Sequence, residues 1–190
     1  MRKIAIFASG TGSNTQRIID HFRGNKDASV ALILSNNPAA GVLGIARKEE
    51  IPYIIIDREK FFQSNYYLQL LKENNIQWIV LAGFLWKIPT ELIDGFKGKM
   101  VNIHPALLPK FGGKGMYGAK VHEAVIQSGD RESGITIHLV DEIYDHGKII
   151  FQARCPVSPE DDANSLAKKI HELEYQHFPK VIEELMDSKI

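Results

Sequence analysis

Apolar positions are distributed along this chain in two alternating rhythms. Runs rich in β-branched residues, "KIAIFAS", "SVALILS", "PYIIID", "QWIVLAG" and "KMVNIH", are almost continuously hydrophobic, as strands covered on both faces require. Between them, Gly12–Phe22, Gly41–Glu49 and Phe61–Asn74 carry apolar residues at helical spacing. Strand and helix therefore alternate through the first half, which predicts an open, mostly parallel twisted sheet with helices on both faces, an α/β fold. Beyond Pro109 the rhythm changes. A glycine-rich loop, "KFGGKGMYG", leads into a predicted helix over Ala119–Ser128 that stops at Gly129. Two strands, "SGITIHLV" and "KIIFQARCPV", flank the acidic loop "DEIYDHG" and add antiparallel character towards the C-terminal end. A closing helical segment follows over about 160–188, with Ser158 or Asp162 as caps and Pro179 as a break or kink. The Pro/Gly stretches read as loops within one domain over 1–190.

Composition narrows the function. The 23 basic residues balance the 23 acidic ones, so no net positive field draws the chain to nucleic acid or to a membrane surface. The most apolar window, "WIVLAGFLW", is far shorter than the roughly 18 residues a bilayer span needs. "IAIFA" is too short for a signal-peptide core, and the one cysteine, Cys155, cannot close an intrachain disulfide. These features predict a soluble, cytoplasmic chain; small-molecule substrates and a monomer or homodimer are expectations that rest on the resemblance given below. No H-E-x-x-H or clustered Cys/His spacing occurs, so no metal is expected.

Two places carry candidate chemistry. The first is "ASGTGSNTQRII", where glycines and small polar residues open a helix and could receive a phosphate on its free N–H groups. Thr15 stands where a dinucleotide loop needs its third glycine, and the second strand ends in "SNNP" without an acid, so a phosphomonoester fits better than NAD; a plain strand-to-helix turn is the alternative. The second is "MVNIHPALLP". Positions two apart on a strand point the same way, which sets Asn102 beside His104 at a strand's carboxyl end. An amide N–H and an imidazole together can stabilise the oxyanion of a tetrahedral intermediate, although a strand-end Asn-x-His also serves as ordinary buried polar structure. Asp141, Glu142 and Asp145 of the acidic loop supply carboxylates, and nothing local selects one. His21, His171 and His177 read as helix-surface residues, while His122, His138 and His146 stay undecided.

The ordered set "GTGSN", "LAGF", "NIHPALLP" and "DEIYDHG" resembles the phosphoribosylglycinamide formyltransferases, a family of the formyl-folate transferase superfamily with a Rossmann-like fold. The resemblance implies formyl transfer from 10-formyltetrahydrofolate to the amine of 5-phosphoribosylglycinamide, in purine biosynthesis. It implies Asn102, His104 and Asp145 as the catalytic trio. It implies Gly12, Ser13, Asn14 and Glu174 as ribonucleotide contacts, and Leu85, Trp86, Lys87, Ile88, Asn102, Asp141, Glu142, Ile143, Tyr144 and Asp145 as the folate site. The domain would then divide into a phosphate-binding half over about 1–100, a folate and catalytic half over about 80–160, and the closing helix. This chain departs from the family pattern in having Leu85, Trp86 and Lys87 after "GF" and a longer "GGKGMYGAKVH" after the Leu-Leu-Pro segment. Ser64 stands nearest to where a basic residue often meets the folate tail.

Two relatives in chemistry compete with this reading. A formyltetrahydrofolate hydrolase would use water as acceptor and usually carries an N-terminal regulatory domain. A methionyl-tRNA formyltransferase would need a further C-terminal domain and basic surface.

Overall fold

In the computed structural model, which describes residues 1–188, the five apolar runs are strands. They are β1 Arg2–Phe7, β2 Ala28–Ser35, β3 Tyr53–Ile55, β4 Ile76–Leu81 and β5 Met100–His104. Later come β6 Glu132–Leu139 and β7 Ile149–Pro156, and the sheet order is β3-β2-β1-β4-β5-β6-β7. β1 pairs in parallel with β2 and β4, β2 pairs in parallel with β3, and β6 pairs antiparallel with β7. The chain divides into two compact units, Met1–Val101 and a second that begins at Asn102.

In the first unit, α1 Ser13–Phe22, α2 Val42–Lys48, α4 Tyr66–Glu73 and the shorter α3 Arg58–Gln63 and α5 Thr90–Gly95 surround the strands. Ile4, Ile6 and Phe7 of β1, Ile33 and Leu34 of β2 and Ile79 and Val80 of β4 are fully buried. That accounts for their unbroken apolar runs. The single helix predicted over Phe61–Asn74 is two helices. Ser64 is extended (φ −151°, ψ 165°), its hydroxyl donating to the Lys60 carbonyl and accepting from Tyr66 N–H. A serine that satisfies the end of one helix and the start of the next competes locally with helix continuation. α5, absent from the periodicity, is a short turn opened by Pro89.

The second unit holds α6 Ala119–Ser128, the β6–β7 hairpin and α7 Ala163–Asp187. α6 ends at Gly129 in the left-handed region (φ 72°), as predicted. Gly134 of β6 lies against the Ala153 carbonyl of β7, where a Cβ would collide with backbone. Of the two candidate caps, Asp162 opens α7, in a capping box with Ser165. Neighbouring Asp161 accepts from Lys169 Nζ at 2.5 Å. That bond, with those from Ser158 N–H and the Ser165 hydroxyl, holds its carboxyl down to about 2. Pro179 does not end α7. Proline's φ suits a helix, and buried Phe178, Val181 and Ile182 on both sides outweigh the lost N–H and the ring's crowding of the preceding turn.

Candidate active site

In the first unit, strand order reverses direction at β1, whose neighbours are β2 on one side and β4 on the other. Crevices outside the carboxyl ends of strands at such a point are where open α/β sheets bind ligands. Two of the expected segments begin there. Gly12 caps α1 in the left-handed region (φ 85°), with Ser13 and Asn14 forming the first turn, whose amides have no acceptor within the helix. Gly12 also packs so closely on α2 that a Cβ would lie 2.8 Å from Val42 Cα. Its glycine is therefore required by packing as well as by the turn.

Ser9, just after β1, ties the strand ends together. Its hydroxyl donates to Asn36 Oδ1 at 2.6 Å and accepts from Leu85 N–H at 2.9 Å, and its carbonyl accepts from Asn37 Nδ2 at 3.3 Å. This fixes the start of Leu85, Trp86, Lys87 and Ile88. Leu85 is 49% exposed although apolar, Ile88 is buried, and half-buried Trp86 packs among Phe61, Phe62 and Phe84. The Arg58 guanidinium lies over Trp86 and Phe62 at 5.6 and 5.7 Å. Ser64, by contrast, spends its hydroxyl on the helix break.

In the second unit, Asn102, His104 and Asp145 are brought together. His104 Nδ1 lies 3.5 Å from Asp145 Oδ2, and both side chains are largely withdrawn from solvent. His104 Nε2 donates to the Phe111 carbonyl at 2.7 Å, so that nitrogen carries a proton. Asp145 Oδ2 also accepts from Gly113 N–H at 2.9 Å, linking the acidic loop to the glycine-rich one. Asp145 itself is in the left-handed region (φ 55°). A short Asp side chain tolerates that conformation, and here it turns the carboxylate inward. Gly147 makes the bend possible by packing against the Leu139 carbonyl, leaving no room for a Cβ.

Of the three histidines that the sequence leaves undecided, His138 is the one that joins this cluster. Its Nε2 is 3.1 Å from Asn102 Nδ2 and 3.8 Å from Asp145 Oδ1. A signal existed: Thr136 and His138 are polar residues two apart on an apolar strand, the same pattern that singled out Asn102 and His104. Thr136 does related work, accepting from Leu108 N–H and donating to the Ala106 carbonyl, which fixes the loop leaving β5.

Elsewhere in the acidic loop, Asp141 accepts from Ile143 N–H and pairs with His146 Nδ1, both at 2.9 Å. Burial pushes Asp141 up, but these bonds outweigh it and its carboxyl lies below the usual value. Glu142, Ile143 and Tyr144 are exposed, and the Ile143 backbone is tied within the loop, its N–H to Asp141 and its carbonyl to His146 N–H. Glu174, which reads from sequence as a helix-surface carboxylate, is only 5% exposed and lies 3.0 Å from His171 Nδ1. That bond raises the His171 pKa. On α6, buried His122 has an Nδ1 with no hydrogen-bond partner, and burial pushes its pKa down. No group of three or more metal-ligating side chains occurs among the described residues.

The strand-end Asn and His, set against a carboxylate from a distant loop, bring together hydrogen-bond donors of the kind that acyl transfer can use. Residues 2–182 match the family model described as formyl transferase, and the chain belongs to that family. It is 41% identical over 194 residues to a phosphoribosylglycinamide formyltransferase, chloroplastic, of Vigna unguiculata, with all of this chain and 62% of the relative covered. A phosphoribosylglycinamide formyltransferase of Haemophilus influenzae is 36% identical, with 100% of this chain and 90% of the relative covered. The crystal structure of the enzyme of that name from Bacillus halodurans superposes with a TM-score of 0.88 at 33% identity, covering 100% of this chain and 97% of that one. The chain thus spans under two thirds of the plant relative and nearly all of the bacterial ones.

Proposed function

We propose that this chain transfers a formyl group from 10-formyltetrahydrofolate to the amine of 5-phosphoribosylglycinamide, acting as one formyltransferase domain. The observation that carries the reading is the Asn102, His104 and Asp145 cluster in a chain matching formyl transferases over 2–182. The amine attacks the formyl carbon, and Asn102 Nδ2 and His104 donate to the oxygen as it becomes an oxyanion. To do so, His104 Nε2 exchanges the Phe111 carbonyl for the substrate oxygen, while Asp145 steadies the other ring nitrogen. A proton then passes from the amine to the folate nitrogen, through His104 or a water, and tetrahydrofolate leaves. Acid/base assistance of this kind contributes about 10² to 10⁴ in rate, so holding the two substrates together supplies much of the rest.

Gly12, Ser13 and Asn14 are assigned to the phosphate, supported by the glycine cap of α1, which brings no side-chain acceptor of its own, and Glu174 to the glycinamide end. The folate ring is assigned to Leu85–Ile88 and Asp141–Asp145, supported by the exposure of Leu85 and of Glu142–Tyr144. Arg58, stacked on Trp86, is assigned to the folate tail in place of Ser64. The lone half-buried Cys155 thiol, its pKa pushed up by burial, suits a reducing, cytoplasmic setting.

The deciding experiment mixes protein with 10-formyltetrahydrofolate, with and without the ribonucleotide. Release of tetrahydrofolate only when the ribonucleotide is present supports the transferase. Release at the same rate without it makes the chain a hydrolase, and no release in either case ends the proposal.

A further inference from the structure

The formyl-transfer reading leaves His138 unused, although its ring sits directly behind Asn102. It is 2% exposed, and its Nδ1 is 2.8 Å from the Leu139 carbonyl oxygen. A carbonyl only accepts, so Nδ1 carries the hydrogen. Burial pushes the imidazole pKa down more strongly than the Leu139 bond and Asp145 push it up, so the ring is neutral at pH 7. A neutral ring protonated on Nδ1 has a bare lone pair on Nε2. The Asn102 amide atom 3.1 Å from that lone pair must then be the donor Nδ2. Turning the amide over would set its oxygen against the lone pair, a repulsion sharpened by the burial of the ring.

We propose that His138 is a positioning residue which locks the Asn102 amide in one of its two orientations, so that its second N–H always faces the reacting formyl oxygen. The assignment rests on the function proposed above and deepens it. One N–H of Nδ2 is consumed by His138, and the other has no partner among the described residues. Preorganisation of this kind removes the cost of reorienting a donor as charge develops. An Asn102 free to flip would present a carbonyl oxygen to the oxyanion part of the time.

Two variants separate this role from packing. In His138→Gln the side-chain end reaches the Nε2 position and keeps an acceptor for Asn102. In His138→Asn it reaches only the Nδ1 position, keeping the Leu139 contact and losing Asn102. The Asn variant should lose about 10- to 100-fold in kcat with KM for both substrates within about twofold, and the Gln variant should recover most of the loss. In an Asn102→Ala background, His138→Asn should cost nothing further, because the positioned group is gone. Equal loss in the Gln and Asn variants, a loss that multiplies with Asn102→Ala, or an unchanged kcat in His138→Asn would overturn the proposal. If Asn102→Ala alone keeps its kcat, the oxyanion reading fails; if it loses activity while His138→Asn does not, only the positioning role fails. An independent check on the unmodified protein is the ¹⁵N shifts of the His138 ring. Nδ1 should be protonated and Nε2 bare, and the opposite tautomer would overturn the assignment whether or not the variants fold.

Discussion

Asp145 joins three jobs in one side chain: it faces His104, it approaches His138, and it accepts from the Gly113 amide. Its left-handed backbone suits Asp or Asn and disfavours Ala. Asp145→Asn should therefore keep the fold and lower kcat, by about 10²-fold or more, through loss of the charge facing His104. Asp145→Ala should show the same loss of turnover and also about 1–2 kcal/mol of stability, measured by denaturant unfolding. Equal stabilities for the two variants would show that the bend does not need this residue. His104→Ala should abolish measurable formyl transfer in a protein of unchanged circular dichroism; substantial residual turnover would remove His104 from the mechanism. Asn14→Ala should raise KM for the ribonucleotide and leave kcat near that of the parent. An unchanged KM would discredit the phosphate assignment.

Among elements, the turn after β1 and the segment after β4 depend on one hydroxyl. Ser9→Ala removes the acceptor for Leu85 N–H and the donor to Asn36 at once. It should raise KM for the formyl donor several-fold, with a smaller effect on the ribonucleotide. The β6–β7 pair depends on Gly134 lying against Ala153. A methyl there has to displace backbone, so Gly134→Ala should cost about 1–3 kcal/mol or more, visible as a lowered unfolding midpoint. At this scale the sequence was readable where burial on both faces imposed continuous apolar runs, and β1, β2 and β4 follow them closely. The break between α3 and α4 was hidden because Ser64 and its local hydrogen bonds decide it, not periodicity. Asn102 beside His104 could be read from strand alternation alone. Asp145 could not be chosen from its loop, since the selecting feature is the backbone bend that turns it inward. His138 stays undecided in the sequence because a histidine on a strand can be a satisfied core residue or a site residue until its partner is known.

For the molecule as a whole, the buried histidines set a pH dependence of stability. Burial lowers the pKa of His122, His138 and, less deeply buried, His177 below the ordinary 6.5. Below that pH the unfolded chain binds protons that the folded chain refuses, so their contribution is complete above about 6.5 and is lost as pH falls. His171, raised by Glu174, acts in the opposite sense: its contribution is complete below 6.5 and is lost as pH rises through its folded value. Asp161, held at about 2, stays ionised throughout this window. Melting temperature should therefore drop between pH 7 and 5.5. His122→Gln should flatten the drop, and His171→Gln should steepen it. A melting temperature that is level across that window even in His171→Gln, where the opposing contribution is gone, would show that the buried rings exchange protons as freely folded as unfolded.

The hairpin glycines bear on how this chain can vary. At Gly134 and Gly147 an added methyl would meet a main-chain carbonyl, whereas around Gly10 and Gly44 the space is open. A saturation library sorted only for folded protein should return almost nothing but the parent residue at 134 and 147, while 10 and 44 accept many replacements. The frame that aims the acidic loop is thus closed to mutational drift at two points set by main-chain packing, and adaptation of this scaffold has to proceed around them.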